Sequence, residues 1–360
     1  MQTTAASLLI ALALGCGTSS LHSYRQSPPR TVPSKYPGLT KETRLAAAPR
    51  KISACARAAN LDRFALGLGE LGAIDEEALY PRAREFGVWE LRVHAWRGKT
   101  ASYAAQDHWF ESLRQQSDAP LACGLAVHGD HSLWVAVERA VVFSELAEGN
   151  QRCFRLAEGF YRPQLLAVDA ELMLYELPLH ETGDEYCFAI DPVFQSKALL
   201  QLHTENPSGG YPVIEFGRTD LKEEIGNSLK VHGGPREQLQ TLRSHFNAGA
   251  LRNNRLLSEQ AKQHAEQVCL SHKVSHRGES GEGPEERLGK LRLSADATGE
   301  AIARARDTEM AFSSLLSSPS HLKVLLDSRF TDVGMATAHN KKGRTCLVVF
   351  FASWPRTRAR

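Results

Sequence analysis

Ser275-His276, Gly299-Glu300-Ala301-Ile302-Ala303 and Ser318-Pro319-Ser320-His321 follow one another within residues 275–354, and the reading of these three phrases decides the fold of the C-terminal third. Each sets an imidazole or a carboxylate beside a turn-forming Gly, Ser or Pro, so His276, Glu300 and His321 are candidates to converge on one cleft. Two imidazoles and a carboxylate form a ligand set for a divalent metal such as zinc, with His276 and His321 as metal ligands and one position left open. The same groups serve as general acid and base when burial brings their pKa values toward neutrality. No His-x-x-x-His pair falls on one predicted helix, so any such site depends on tertiary convergence. Each residue also has a plainer reading. His276 suits a surface loop, and Glu300 suits a partner of backbone amides or of Arg287. His321 follows Ser318 and Pro319, the positions of an N-cap and an N1 proline at a helix start.

Working outward, two amphipathic helices are expected before these phrases, one through Leu242, Phe246, Ala250 and Leu251 and one through Leu257, Ala261, Ala265 and Val268. Gly233-Gly234-Pro235 reads as a breaker, which places a linker at residues 219–240 and the last domain at 241–356. Within 147–218 the helical period vanishes and short apolar runs appear at 153–156, 164–175, 186–190, 198–202 and 211–216. Turn clusters such as Glu181-Thr182-Gly183-Asp184 and Asn206-Pro207-Ser208-Gly209-Gly210 separate them. This predicts a small β-sandwich, immunoglobulin-like in outline. Its catalytic content reads as nil, with His180 and His203 as surface or satisfied core residues.

Residues 51–146 read as a divergent α+β region. A helix runs through Ala59, Leu61, Phe64, Ala65, Leu68 and Leu71 to a stop at Gly72. A second, capped by Asp75, carries Ala78 and Leu79, with Pro81 limiting its extent, and Trp109, Phe110 and Leu113 mark a third. Strands at 121–127 and 132–142 meet at Gly129-Asp130. Cys123-Gly124-Leu125-Ala126-Val127 and Leu133-Trp134-Val135-Ala136-Val137 align with Val333-Gly334-Met335-Ala336-Thr337 and Cys346-Leu347-Val348-Val349-Phe350, the trace of a degenerate internal repeat.

The N-terminus points out of the cytoplasm. Residues 5–14 form an apolar run of signal-peptide length, too short to span a bilayer, and it ends just before Cys16. Residues 17–50, rich in Ser, Thr, Pro and Gly, read as a tether. Of the seven cysteines, the six beyond Cys16 are an even number, which in an exported chain suggests disulfides while leaving the connectivity open. They fall two by two into the three regions, so the simplest pairing is Cys55 with Cys123, Cys153 with Cys187, and Cys269 with Cys346. A hydrophobic content of 42% and a charged content of 23% over 360 residues are those of a soluble globular protein of about two or three domains. A net charge of +2, without basic blocks interleaved with aromatics, offers no footprint for nucleic acid.

The C-terminal phrases, in their order, resemble the CAP superfamily of cysteine-rich secretory and pathogenesis-related proteins, in the short bacterial form called SCP. Phe330-Thr331-Asp332-Val333-Gly334 resembles the family's strand entry, and residues 345–353 its closing strand. The resemblance implies an α-β-α sandwich whose cleft holds His276, Glu300 and His321, completed in many members by a second glutamate. Here Ala301 replaces the family's asparagine, Leu315 its tryptophan and Leu322 its arginine, while Glu309 lies on the preceding helix. Ala13-Leu14-Gly15-Cys16 likewise resembles a bacterial lipobox, which implies lipidation at Cys16 and a location in the cell envelope, on a membrane or secreted. The expected whole is an α+β multidomain protein: signal peptide 1–16, linker 17–50, α+β region 51–146, β-sandwich 147–218, linker 219–240 and CAP-like domain 241–356. Three functions fit: a binding module for a small apolar, cell-wall or protein ligand; a metal-assisted hydrolase or peptidase; and a structural envelope protein with a degenerate site.

Overall fold

The computed structural model describes residues 43–44, 55–69, 76–144, 151–218, 221, 233–271, 274–341 and 343–355. The signal peptide, Cys16, all but two residues of the tether, and the cap at Asp75 lie outside the described residues.

The first part runs β1 (Thr43–Arg44), β2 (Ala56–Arg57), α1 (Ala59–Gly69), α2 (Glu76–Glu85), β3 (Val93–Lys99), α3 (Tyr103–Gln116), β4 (Leu121–His128) and β5 (His131–Glu138). Its sheet has the order β1-β4-β5-β3, with β2 also on β4. Strand alternation sends Leu133, Val135 and Val137 of β5 toward Leu61, Phe64 and Leu68 of α1. Trp134 and Ala136 go to the other face, against Phe110 and Leu113 of α3. A period of two with both faces covered by helices gives three layers. Strand β3 was not foreseen, because His94, Arg97 and Lys99 interrupt its apolar alternation.

The chain then leaves this sheet. The expected single strand at 132–142 is two, β5 and β6 (Val141–Phe143), and β6 already belongs to the β-sandwich, which moves that boundary upstream of 147. β7 (Gln151–Leu156), β8 (Tyr161–Val168), β9 (Leu174–Leu177), β10 (His180–Thr182), β11 (Glu185–Ala189), α4 (Pro192–Gln195), β12 (Leu199–Asn206) and β13 (Gly209–Gly217) complete it. The two sheets have the orders β10-β11-β7-β6 and β13-β12-β8-β9. They share a core around Phe154, Leu165, Phe188, Leu200 and Phe216.

The last part holds α5 (Pro235–His245), β14 (Arg252–Asn253), α6 (Arg255–Leu270), α7 (Pro284–Lys290), β15 (Ala297–Ala305), α8 (Thr308–Leu316), α9 (Pro319–Leu325), β16 (Asp332–His339) and β17 (Thr345–Ser353). Helix α5 begins inside the expected linker 219–240 and ends before Phe246, because Pro235 stands at N1, where its missing N–H costs nothing. The sheet order is β14-β16-β17-β15. All of β17 is buried. Val348 and Phe350 face Leu257, Ala261 and Val268 of α6, while Leu347, Val349 and Phe351 face Phe312 and Leu315 of α8 and Leu322 of α9. This is the α-β-α arrangement.

The first and last parts share a plan. In both, a short strand runs parallel to the strand that opens the closing hairpin, Ala56 beside Ala122 and Arg252 beside Asp332. The next turn is pinned alike: Ala58 N donates to Cys123 O and Asn254 N to Val333 O. A Cβ on Gly124 would fall 2.1 Å from the Leu61 backbone, and one on Gly334 2.1 Å from the backbone of Leu257 and Ser258. Both glycines exist because a helix lies directly on the strand. Gly124 pairs with Val135 and Gly334 with Phe350, so the second strands align two residues further along than their sequences suggest, a shift that leaves the faces unchanged.

Three disulfides brace the fold: Cys55–Cys123, Cys153–Cys187 and Cys269–Cys346. The last staples α6 to β17. Each closes a loop of tens of residues, a constraint typically worth about 2–4 kcal/mol.

Candidate binding cleft

Glu300 stands on β15 opposite Phe350, on the sheet face that α6 covers, and its side chain is 1% exposed. A carboxylate this deep must be paired or neutral. Arg287 of α7 donates Nη2 to Glu300 Oε2, and His276 Nδ1 lies 3.0 Å from Oε1. The guanidinium also lies over the Phe350 ring, 5.5 Å from its centroid. Of the readings open for Glu300, the Arg287 partnership is thus realised.

Two further contacts position His276. Arg287 Nη1 donates to the His276 carbonyl at 3.0 Å, and His264 Nε2 donates to the Ser275 carbonyl at 3.0 Å. His264 is 1% exposed on α6, with Nε2 3.7 Å from Glu300 Oε1, too far for a hydrogen bond. Sequence reasoning missed His264. Its signal was present, since position 264 falls on the buried stripe with Leu257, Ala261, Ala265 and Val268, where an imidazole requires a polar partner.

His321 comes from α9, two residues after the N1 proline. The β-sandwich seats that helix. Gln201 of β12 donates to Ser318 Oγ at 3.1 Å and accepts from Ser320 N at 3.0 Å, while Glu215 accepts from the same Gln201 amide at 2.7 Å.

His276, Glu300 and His321 line one open cleft of about 810 Å³, whose opposite wall is the sandwich, with His203 and Gly209 among its lining residues. The sandwich, whose catalytic content read as nil, thus forms one wall of the cleft. His203 lies on the β12 face turned to the cleft, and the turn after β12 sits over His276. A Cβ on Gly209, at φ +111°, would come within 2.9 Å of His276 Cβ, so close approach and backbone both require glycine. Arg277 Nε donates to the Pro207 carbonyl of the same turn. Burial, then the neighbouring His276 and Lys323, push the His203 pKa down to about 4, so this imidazole is neutral at pH 7. Glu309 is exposed and supplies no second glutamate.

The arrangement does not fit a zinc ion held by His276, Glu300 and His321. Both Glu300 oxygens are engaged, Arg287 brings a competing positive charge, and the three ligand atoms do not come within the mutual spacing of one ion. Among the described residues the group with that spacing is Cys153, Glu185 and Cys187, whose sulfurs are consumed in a disulfide.

Among solved structures, the chain is similar to an outer surface protein of Borrelia burgdorferi at 22% identity, covering 33% of this chain and 90% of that one, with a TM-score of 0.32. An extracellular SCP-domain protein of Bacillus anthracis matches at 17% identity over 59% and 67%, TM-score 0.30. A cysteine-rich secretory protein of Staphylococcus aureus matches at 12% over 59% and 83%, TM-score 0.29. No curated protein sequence matches significantly. The family model described as the cysteine-rich secretory protein family matches residues 237–352, and this third of the chain is a CAP domain.

Proposed function

We propose that the protein is exported, is held at a membrane by a lipid on Cys16, and binds a polar envelope ligand in the cleft between its CAP domain and its β-sandwich. The observation that carries this reading is the pairing of Glu300 with Arg287 and His276 on the inner wall of an open cleft. A carboxylate so engaged is a poor general base, which favours binding over metal-assisted hydrolysis. The lining is rich in hydrogen-bonding side chains, so a polar ligand suits it better than the small apolar one that the sequence also allowed. Three disulfides agree with an oxidising compartment. The leader and Cys16 supply the route and the anchor.

Crosslinking in cells tests this whatever the ligand is. A photo-crosslinking amino acid replaces Glu285 on the cleft rim, or Glu259 on the exposed face of α6. Adducts from position 285 and none from 259 are expected; equal labelling, or none from 285, leaves a structural envelope protein with a decayed cleft. Separately, Cys16→Ala is expected to release the protein from the membrane fraction, and unchanged membrane retention contradicts the anchor.

A further inference from the structure

Strand β15 is an edge of the CAP sheet, since the order β14-β16-β17-β15 gives it one neighbour. Its pairing with β17 says which main-chain groups that neighbour uses. Asp296 N donates to the Ser353 carbonyl, so Ser353 and every second residue before it, Phe351 and Val349, turn their main-chain groups toward β15. A strand residue points its N–H and C=O to one side and the next residue to the other. Gly299, opposite Phe351, and Ala301, opposite Val349, are thus spent on the ladder. Thr298 and Glu300 present theirs to the open side, where neither main chain has a hydrogen bond among the described residues.

That side is the cleft. Thr298, Gly299 and Glu300 all line it, and consecutive strand residues, whose side chains alternate in direction, share one wall when it runs along the edge. The exposure of Glu300 agrees. The whole residue is 6% exposed but its side chain 1%, so what reaches the cleft is main chain. The two sheet faces differ beside this edge. On the α9 face a Cβ at Gly299 would fall 2.5 Å from the Phe330 ring and 3.3 Å from Val324 Cγ1, and both apolar side chains line the cleft. On the α6 face stand Thr298 and His276, whose Nδ1 holds Glu300 and whose Nε2 has no partner among the described residues.

Unpaired amide and carbonyl groups along an edge are complementary to the main chain of another strand. We infer that the cleft takes an extended peptide, added to β15 as a further strand, with an apolar side chain beside Gly299 and polar ones to either side. The added strand lies about 4.8 Å from β15. Its residue next to Gly299 packs on Phe330 and Val324, and the flanking residues turn to Thr298 and His276. A volume of about 810 Å³ holds a segment of a few residues. This rests on the cleft being the binding site and names its ligand, a peptide whose main chain supplies the polar groups.

The full chain is panned against a phage-displayed library of random linear peptides, and the selected peptides are synthesised and titrated by calorimetry. They should share an apolar residue between polar ones. Thr298→Pro removes an N–H that faces the open side and leaves the β15–β17 ladder whole; it should weaken binding about tenfold or more. Ester replacement of single peptide amides should weaken binding about three- to tenfold at every second position and little between. The ester series leaves the protein unaltered, so it decides the matter should Thr298→Pro fail to fold. A flat ester series, binding indifferent to Thr298→Pro, or a library that yields no binder overturns the added strand. Crosslinking at position 285 then reports on the cleft independently. A dimer in sedimentation that Thr298→Pro dissociates also overturns it, since the edge then belongs to a second copy.

Discussion

Arg287→Met deletes the guanidinium that neutralises Glu300 while keeping a side chain long enough to cover Phe350. The Glu300 side chain is 1% exposed and that of Arg287 6%, so the variant leaves a carboxylate in the interior with His276, among the described residues, as its remaining polar neighbour at bonding distance. Breaking a buried pair from one side costs about 3–5 kcal/mol, because the survivor stays desolvated. The bonds from Arg287 to the carbonyls of His276 and Glu282 are lost as well. We expect a net loss of about 3–4 kcal/mol, read as a fall in the urea midpoint of the CAP domain at pH 7. Arg329→Met, which breaks an ion pair whose arginine is 73% exposed, is the control and should cost about 0–1 kcal/mol. Glu300→Gln in the Arg287→Met background should recover part of the loss, since no buried charge remains. If Arg287→Met costs no more than the control, the pair does not hold the site together and the reasoning from burial fails.

Two further outcomes follow from the geometry. Gly334→Ala and Gly124→Ala drive a methyl into helix backbone on corresponding strands, and each should destabilise by about 1–3 kcal/mol or more. Gly289→Ala, whose Cβ meets nothing within 4 Å in an exposed turn of α7, should not destabilise; urea midpoints of all three check the shared plan. The second outcome concerns pH. His203 is held to about 4 in the folded chain, against an ordinary value near 6.5. Above about pH 6.5 both states carry it neutral, whereas between there and pH 4 only the unfolded state takes up the proton. Stability therefore falls as pH drops through this window, by roughly 3 kcal/mol in all. His203→Gln should flatten that part of the stability profile, and an unchanged profile contradicts the burial of this imidazole.

Much of the C-terminal architecture was legible because its signals are local. Ser318 and Pro319 start α9 where an N-cap and N1 residue should, and the apolar stripe of α6 gave that helix its face. The cysteine pairing was legible for a different reason: six residues divided evenly among three regions. What escaped was information that exists only across the chain. Strand β3 is a covered edge strand whose exposed charges hide its alternation. Pro235 read as a breaker although proline is equally at home in the first turn of a helix. His203 sits in a stretch that looks like any sandwich strand, and only the docking of α9 on Gln201 turns its face into a cleft wall. The repeat showed in the two glycines and was misaligned in the second strand, because the Gly129 hairpin turn is shorter than the loop between β16 and β17.

The most direct measurement of the central claim uses the full chain with its histidine rings labelled with nitrogen-15, mixed with solubilised material from its own cell envelope. Ring signals of His276, His321 and His203 should shift together and saturate, while those of the exposed His108 and His180 stay in place. If the three cleft imidazoles remain unmoved, or shifts are confined to the distant rings, the cleft is not where this protein meets its ligand.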